Sequence, residues 1–109
     1  MRILLVDDEA SLLSLLSQYL RRSGHETALA ETVTAALDLA TQPFDAAVVD
    51  LSLPDGSGEE VVKALLRAGT TAKIVISTGY PYDPPPAFAG RVIVLQKPFL
   101  PRALLNVLS

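Results

Sequence analysis

Three short apolar runs, each followed closely by charged residues, constrain the fold of this chain more than any other feature. The runs are Ile3–Val6, Ala46–Val49 and Val92–Leu95. A strand with one face in water alternates polar and apolar residues, whereas these runs are apolar throughout. They therefore predict strands that are buried on both faces of a parallel sheet.

The charged residues lie where these predicted strands end. They are Asp7-Asp8-Glu9 after the first run, Asp50 after the second, and Lys97, next to Pro98, after the third. Ligands of open parallel sheets bind just outside the carboxyl ends of the strands. We therefore expect a small acidic metal-binding pocket with a lysine across from it. Taken alone, Asp7-Asp8-Glu9 could instead be a helix N-terminus, where acidic residues complement the helix dipole.

Segments with helical periodicity alternate with strand-like segments along the chain. The spacing of apolar residues predicts helices over residues 9–22, 32–40, 58–67 and 102–108, and two further strands over 26–30 and 73–77. The core face of the first helix is expected to carry Leu12, Leu13, Leu15, Leu16, Tyr19 and Leu20. This alternation, without a linker or an internal repeat, predicts a single α/β domain over residues 1–109, with helices on both faces of a parallel sheet.

Composition excludes several classes of protein. The formal net charge of −3 argues against binding nucleic acid through a basic surface. The chain has no cysteine, so it has no disulfide, thiol nucleophile or cysteine-ligated metal. Its apolar stretches are far shorter than a membrane span, and its first residues lack the pattern of a signal peptide. We therefore expect a cytoplasmic protein that contacts neither membrane nor nucleic acid directly.

Four segments together resemble the receiver domains of response regulators in two-component signalling. They are ILLVDDE at 3–9, VVDLSLPDGSG at 48–58, VISTGY at 75–80 and LQKPF at 95–99. Any one of them alone is a weak signal, whereas four in this order, each at a predicted strand end, span nearly all of the chain. The resemblance implies a flavodoxin-like, doubly wound sheet of five parallel strands in the order 2-1-3-4-5.

The resemblance also implies phosphorylation of one aspartate with Mg²⁺ as the cofactor. Asp50 matches the phosphoacceptor. Asp7 and Asp8 would hold the metal ion together with Asp50 and the backbone carbonyl of Ser52, Asp8 more directly and Asp7 largely through water. Hard oxygen ligands that leave room for several waters suit Mg²⁺.

Further positions match residues that contact the phosphoryl group. Lys97 would pair with the phosphoryl oxygens, Thr78 would bond another oxygen, and Gly79 would leave room for the group. Ser52 and Tyr80 match two variable positions at the mouth of the pocket. The implied partner is a histidine kinase or a histidine phosphotransfer protein, and the domain would catalyse only its own phosphorylation and dephosphorylation.

The region from Thr78 to Lys97 departs from the family pattern. Lys97 follows Thr78 by only 19 residues, which are too few for a loop, a full fourth helix and a strand. The three prolines at 84–86 cannot lie inside a helix. We therefore expect a shortened or missing fourth helix, an irregular segment over residues 80–90 with at most one turn near 87–89, and Phe88 turned inward. The resemblance further implies a cis Lys97-Pro98 bond.

Val94 stands three residues before the lysine, where the family usually has an aromatic residue. An aromatic side chain that rotates on phosphorylation is therefore not expected, and we expect a monomer. The LQKPF segment and the short proline-rich connection resemble receivers attached to hybrid histidine kinases more than those of DNA-binding regulators. The chain could equally be free-standing or part of a longer protein.

Two other functions stay open at this point. One is a receiver that docks to a partner without being phosphorylated, although all five matched positions are intact. The other is a phosphohydrolase that forms an aspartyl-phosphate. Such enzymes usually carry a second aspartate two residues after the nucleophile, and Ser52 occupies that position here.

Overall fold

A parallel sheet of five strands lies at the centre of the computed structural model, which describes residues 1–109. Its strands are β1 (Arg2–Val6), β2 (Glu26–Ala30), β3 (Ala46–Asp50), β6 (Lys73–Thr78) and β7 (Val92–Gln96). Just after β3, β4 (Ser52–Leu53) and β5 (Gly56–Ser57) form a separate antiparallel ribbon. The large sheet has the order β2-β1-β3-β6-β7, and every pair is parallel. Without the ribbon this is the order 2-1-3-4-5, so the flavodoxin-like prediction is confirmed.

Four helices pack on the sheet: α1 (Ala10–Arg22), α2 (Val33–Leu39), α3 (Gly58–Arg67) and α4 (Pro101–Leu108). Side chains that alternate along β1 divide the core into two parts. Ile3 and Leu5 lie in the part that contains residues of α1 and α4, whereas Leu4 and Val6 lie in the part that contains residues of α2 and α3. Both faces of the strand are therefore buried, which explains a run that is apolar at every position. None of the helices is both long and apolar enough to cross a bilayer.

Each predicted helix and strand begins and ends within one residue of its predicted limits. Local preferences explain this agreement. Thr32 caps α2, its hydroxyl accepting a hydrogen bond from the N–H of Ala35 at 3.0 Å. Gly24, just beyond α1, has a φ of +92°, a conformation that side chains disfavour, so the helix cannot continue through it.

Two predictions about burial were wrong. Strand β7 was expected to be buried on both faces, but it is the last strand of the sheet and Ile93 is 37% exposed. Leu15 was assigned to the core and is 54% exposed, because the six apolar residues of α1 cover a wider arc than the sheet can bury. Ser17 is buried on this helix instead, with its hydroxyl 2.7 Å from that of Thr27.

The connection between β6 and β7 has the predicted irregular form. Its only helical element is a 3₁₀ turn at Pro86–Phe88, and Phe88 is fully buried in the part of the core that contains residues of α2 and α3. Tyr82 holds the connection to α3 by donating a hydrogen bond to the carboxylate of Glu59. The Lys97-Pro98 bond is cis, as predicted.

Candidate functional site

The carboxyl ends of β1 and β3 lie side by side and bring three carboxylates together. Residues 3–6 of β1 pair in register with residues 46–49 of β3, so Asp7 and Asp50 follow at the same level. Carboxylate oxygens of Asp7, Asp8 and Asp50 all lie within 4.8 Å of one another. Asp7 and Asp50 are buried and Asp8 is exposed. The acidic cluster therefore has two members inside the protein and one that faces solvent.

Lys97 contacts both buried carboxylates. Its Nζ donates to Asp7 Oδ2 at 2.7 Å and to Asp50 Oδ2 at 3.3 Å. The second oxygen of Asp7 accepts a bond of 2.9 Å from the N–H of Glu9. The second oxygen of Asp50 accepts a longer bond, 3.2 Å, from the N–H of Ser52. Asp50 is therefore the less tightly held carboxylate of the pair.

Burial raises the pKa of Asp50 above its ordinary value of 3.8, and the charge of Asp7 adds to this effect. The bond from Ser52 and the charge of Lys97 lower the pKa of Asp50 without cancelling the rise. Burial by itself would lower the pKa of Lys97, but the hydrogen bond and charge of Asp7, with the charge of Asp50, raise it above 10.5. Lys97 is thus a cation at neutral pH, and one lysine does not balance three carboxylates.

This excess of negative charge fits a divalent cation. The three carboxylates offer hard oxygen ligands around one point, which is the donor type that both Mg²⁺ and Ca²⁺ prefer. The exposed position of Asp8 leaves one side of the cluster open to solvent, as an ion that keeps several waters requires. Ser52, whose carbonyl is the fourth predicted ligand, begins β4 two residues after Asp50.

Thr78 and Gly79 lie at the carboxyl end of β6, the strand next to β3. Thr78 is buried, and its hydroxyl is occupied by the backbone of Tyr80, donating to the carbonyl at 3.2 Å and accepting from the N–H at 3.3 Å. A side chain at Gly79 would meet no atom within 4 Å. The space predicted at Gly79 is therefore present, while the Thr78 hydroxyl makes no hydrogen bond to Asp50 or Lys97.

Ser52 and Tyr80, the two positions predicted at the pocket mouth, line one groove beside the carboxylates. The groove has a volume of about 570 Å³ and also contacts Glu59 and Tyr82. Both Ser52 and Tyr80 are exposed. The groove they share is thus open to solvent.

Two residues that support the site were missed in the sequence. Gly58 begins α3 against β3, so closely that a side chain there would lie 2.0 Å from the backbone oxygen of Asp50. Asp55 ties the β4–β5 ribbon to α2, accepting bonds from the N–H groups of Val33 at 2.7 Å and Thr34 at 3.0 Å. These bonds lower the pKa of Asp55 below its ordinary value. For Gly58, the sequence signal is a glycine placed between a turn and a helix, because such a glycine often marks a place where two backbone segments approach closely.

Comparison with known protein families gives one match over almost the entire chain. The family model described as the response regulator receiver domain matches residues 3–109. The chain belongs to this family. The strand order is thus that of a receiver domain of two-component signalling, and receiver domains are phosphoacceptor modules.

Relatives of this receiver domain include both full regulators and solved domains. The photosynthetic apparatus regulatory protein RegA of Rhodobacter capsulatus is 43% identical over 79 residues, which are 72% of this chain and 43% of that protein. This chain therefore spans less than half the length of that curated relative.

Two solved structures share the fold. A CheY-like receiver domain protein from Methanospirillum hungatei JF-1 is 35% identical, with a TM-score of 0.80, covering 97% of this chain and 88% of that one. A response regulator from Burkholderia pseudomallei, solved with a phosphorylated aspartic acid, a calcium ion and citrate, is 29% identical, with a TM-score of 0.85, covering 99% of this chain and 66% of that one.

Proposed function

We propose that this receiver domain accepts a phosphoryl group on Asp50 from the phosphohistidine of a histidine kinase or histidine phosphotransfer protein, with Mg²⁺ as cofactor. The observation that carries the proposal is the cluster of Asp7, Asp8 and Asp50 facing the Nζ of Lys97 at one end of the sheet. The phosphorylated aspartic acid in the Burkholderia pseudomallei regulator supports the same chemistry. Because such a donor receives its phosphoryl group from ATP, we propose that the module works in the cytoplasm.

In this reaction Asp50 is the nucleophile. A carboxylate oxygen forms a bond to phosphorus while the bond from phosphorus to the donor imidazole breaks, and the imidazole nitrogen takes up a proton. Asp50 suits this role better than Asp7, because the oxygens of Asp7 make the shorter bonds, 2.7 Å to Lys97 and 2.9 Å to Glu9. The product is an acyl phosphate.

The remaining residues stabilise charge. Two carboxylates about 4 Å apart repel by roughly 4 kcal/mol at an effective dielectric constant of about 20, and an incoming phosphoryl group adds to this. When bound, Mg²⁺ would supply the missing positive charge. Lys97 would exchange its 3.3 Å bond to Asp50 for a phosphoryl oxygen, and Thr78 would exchange its bonds to Tyr80 for another. Phosphoryl transfer depends mainly on such positioning and charge stabilisation.

The two alternatives have less support. A phosphohydrolase of this type usually has a second aspartate two residues after the nucleophile, and that position is Ser52 here. A docking receiver without phosphorylation would not need a lysine held between two buried aspartates. We infer that the domain catalyses no reaction on other substrates.

Incubation with acetyl phosphate and Mg²⁺, followed by intact mass measurement, tests the proposal. We expect a gain of one phosphoryl group that is lost when EDTA replaces Mg²⁺. A folded protein that gains no mass in the presence of Mg²⁺, from acetyl phosphate or from a phosphorylated histidine protein, would contradict the proposed function.

Asp8→Ala should weaken Mg²⁺ binding more than Asp7→Ala. Asp7 already accepts hydrogen bonds from Lys97 and Glu9, whereas Asp8 is exposed and is a partner in no hydrogen bond of the structure. Loss of a group that acts through a metal-bound water lowers metal affinity by about 10-fold to 100-fold, which is the loss we expect for Asp7→Ala. The loss of Mg²⁺ affinity in Asp8→Ala should be larger than that. Calorimetric titration with Mg²⁺ measures both, with exposed Asp83→Ala as control. Equal or reversed losses would contradict this division of roles.

The domain should remain a monomer when phosphorylated. The segment over residues 80–90 contains only the turn at Pro86–Phe88, and Val94 offers no aromatic ring to reposition. Phosphorylation should therefore reorder this segment and Thr78 without building a helical dimer face. Light scattering with Mg²⁺ and beryllofluoride, a phosphoryl mimic, measures the mass. A dimer that forms tightly only with the mimic would contradict the prediction.

A further inference from the structure

Ser77 presents a hydroxyl group that the site described so far does not use. It is the second-to-last residue of β6 and is 3% exposed. Its Oγ is the one buried side-chain polar atom in the structure without a hydrogen-bond partner. Leaving a buried hydroxyl unpaired disfavours the folded state, so such a group in a native protein calls for an explanation.

The sheet register places this hydroxyl beside the phosphoacceptor. Ser77 pairs with Asp50 on β3 and with Leu95 on β7. Paired residues of neighbouring strands point to the same face of a sheet, so the Ser77 side chain lies between those of Asp50 and Leu95. Thr78, the next residue, points to the opposite face.

The side chain of Lys97 extends across the end of β6, next to Ser77. Lys97 follows Leu95 by two residues, and its N–H donates to the carbonyl of Thr78. From there its Nζ reaches Asp50 on β3, and β6 lies between β7 and β3. The lysine side chain therefore crosses the end of β6, where Ser77 is the last residue on that face with a side chain, since Gly79 has none.

The lysine ammonium has one N–H group to spare. It carries three N–H groups, and the bonds to Asp7 and Asp50 use two of them. The Lys97 side chain is 22% exposed, so water can reach the third group. A phosphoryl group on Asp50 would approach the ammonium from the side of the carboxylates. On the side of β6, the unpaired hydroxyl of Ser77 is an acceptor that the protein offers to the third N–H.

We propose that Ser77 is a positioning residue for Lys97, its hydroxyl accepting a hydrogen bond from the ammonium when Asp50 carries a phosphoryl group. This inference rests on the proposed function. The free hydroxyl is then a feature of the unphosphorylated state, and it finds its partner in the phosphorylated state. Ser77 thereby holds the ammonium against the phosphoryl oxygens together with Asp7.

Ser77→Ala separates this role from a structural one, because the two roles predict opposite effects on stability. Removing an unpaired buried hydroxyl should leave the unphosphorylated domain as stable as before or more stable. The same change should weaken beryllofluoride binding, at saturating Mg²⁺, by about tenfold or more, as expected for one hydrogen bond to a charged group. Mg²⁺ affinity should stay unchanged, and Ser77→Thr, which keeps a hydroxyl, should recover most of the loss.

Ser17→Ala is the matched control. Ser17 is also buried, but its hydroxyl is paired with that of Thr27 at 2.7 Å, far from the carboxylate cluster. This variant should lose stability in urea denaturation and bind beryllofluoride normally. Calorimetric titration with beryllofluoride measures the affinities of all variants.

Two results would overturn the role of Ser77. One is a Ser77→Ala domain that is less stable than the unmodified one, and the other is a beryllofluoride affinity within about twofold of it. If the unmodified protein itself fails to bind beryllofluoride with Mg²⁺, the proposed function fails together with this inference. If the unmodified protein binds beryllofluoride and the Ser77→Ala variant binds it equally well, only the inference about Ser77 fails and the proposed function stands.

Discussion

Asp50→Asn should abolish the mass gain from acetyl phosphate and Mg²⁺. No other carboxylate combines a position at the end of β3 with the 3.3 Å contact with Lys97 and membership of the acidic cluster. An amide oxygen is a far weaker nucleophile than a carboxylate, so the loss should be complete on the timescale on which the unmodified domain is phosphorylated. Exposed Asp83→Asn, the matched control, should be phosphorylated normally. A gain of the same size in Asp50→Asn would show that another residue is the acceptor.

The same substitution should stabilise the unphosphorylated domain at neutral pH. Burial raises the pKa of Asp50 above 3.8, so the folded state binds this proton more tightly than the unfolded state does. Stability is therefore lost as the pH rises from 3.8 through the raised pKa, and it stays lost at neutral pH. Asparagine carries no charge and avoids the loss, while Lys97 keeps its 2.7 Å bond to Asp7.

Urea denaturation at several pH values measures this effect. The stability gain of Asp50→Asn should be largest at neutral pH and should shrink as the pH falls toward 3.8. A variant that is less stable than the unmodified domain at neutral pH would mean that the bonds from Lys97 and Ser52 outweigh the cost of burying the charge.

Gly58→Ala should destabilise the domain severely. The new Cβ would lie 2.0 Å from the backbone oxygen of Asp50 and 2.9 Å from a methyl group of Val49. Backbone atoms cannot move aside as a flexible side chain can, so α3 would have to shift away from β3. Overpacking a core typically costs about 1–3 kcal/mol, and a backbone collision should reach about 3 kcal/mol or more. The shift should also slow phosphorylation, because the colliding oxygen belongs to the phosphoacceptor.

Gly79→Ala provides the control for stability. A Cβ at Gly79 meets no atom within 4 Å, so the same substitution should change the free energy of unfolding only within about 0.5 kcal/mol. Urea denaturation of both variants makes the comparison. A Gly58→Ala domain as stable as Gly79→Ala would show that α3 is not held against β3 as closely as the structure has it.

The arrangement of elements could be predicted because each segment carries its own signal. The runs before Asp7 and Asp50 are apolar at every position, which only a strand covered on both faces tolerates. Thr32 and Gly24 mark helix limits through hydrogen bonding and backbone conformation that depend on a few adjacent residues. The three prolines at 84–86 likewise predicted the missing helix from local sterics alone.

Burial was harder to predict where it depends on distant partners. The exposure of Leu15 depends on how much of α1 the sheet covers, and the exposure of Ile93 depends on how the edge of the sheet is packed. The neighbouring residues specify neither. The close approach of Gly58 to Asp50 and the unpaired hydroxyl of Ser77 were missed for the same reason.

The sequence by itself determined the parallel sheet, its strand order through the family resemblance, and the presence of three carboxylates and a lysine at one edge. Only the tertiary structure decided how these groups divide their contacts. Lys97 lies 90 residues from Asp7 and 47 from Asp50, yet it binds Asp7 at 2.7 Å and Asp50 at 3.3 Å. Such differences arise from the register of β1, β3, β6 and β7, and register is set by packing over both faces of the sheet, which no single segment encodes.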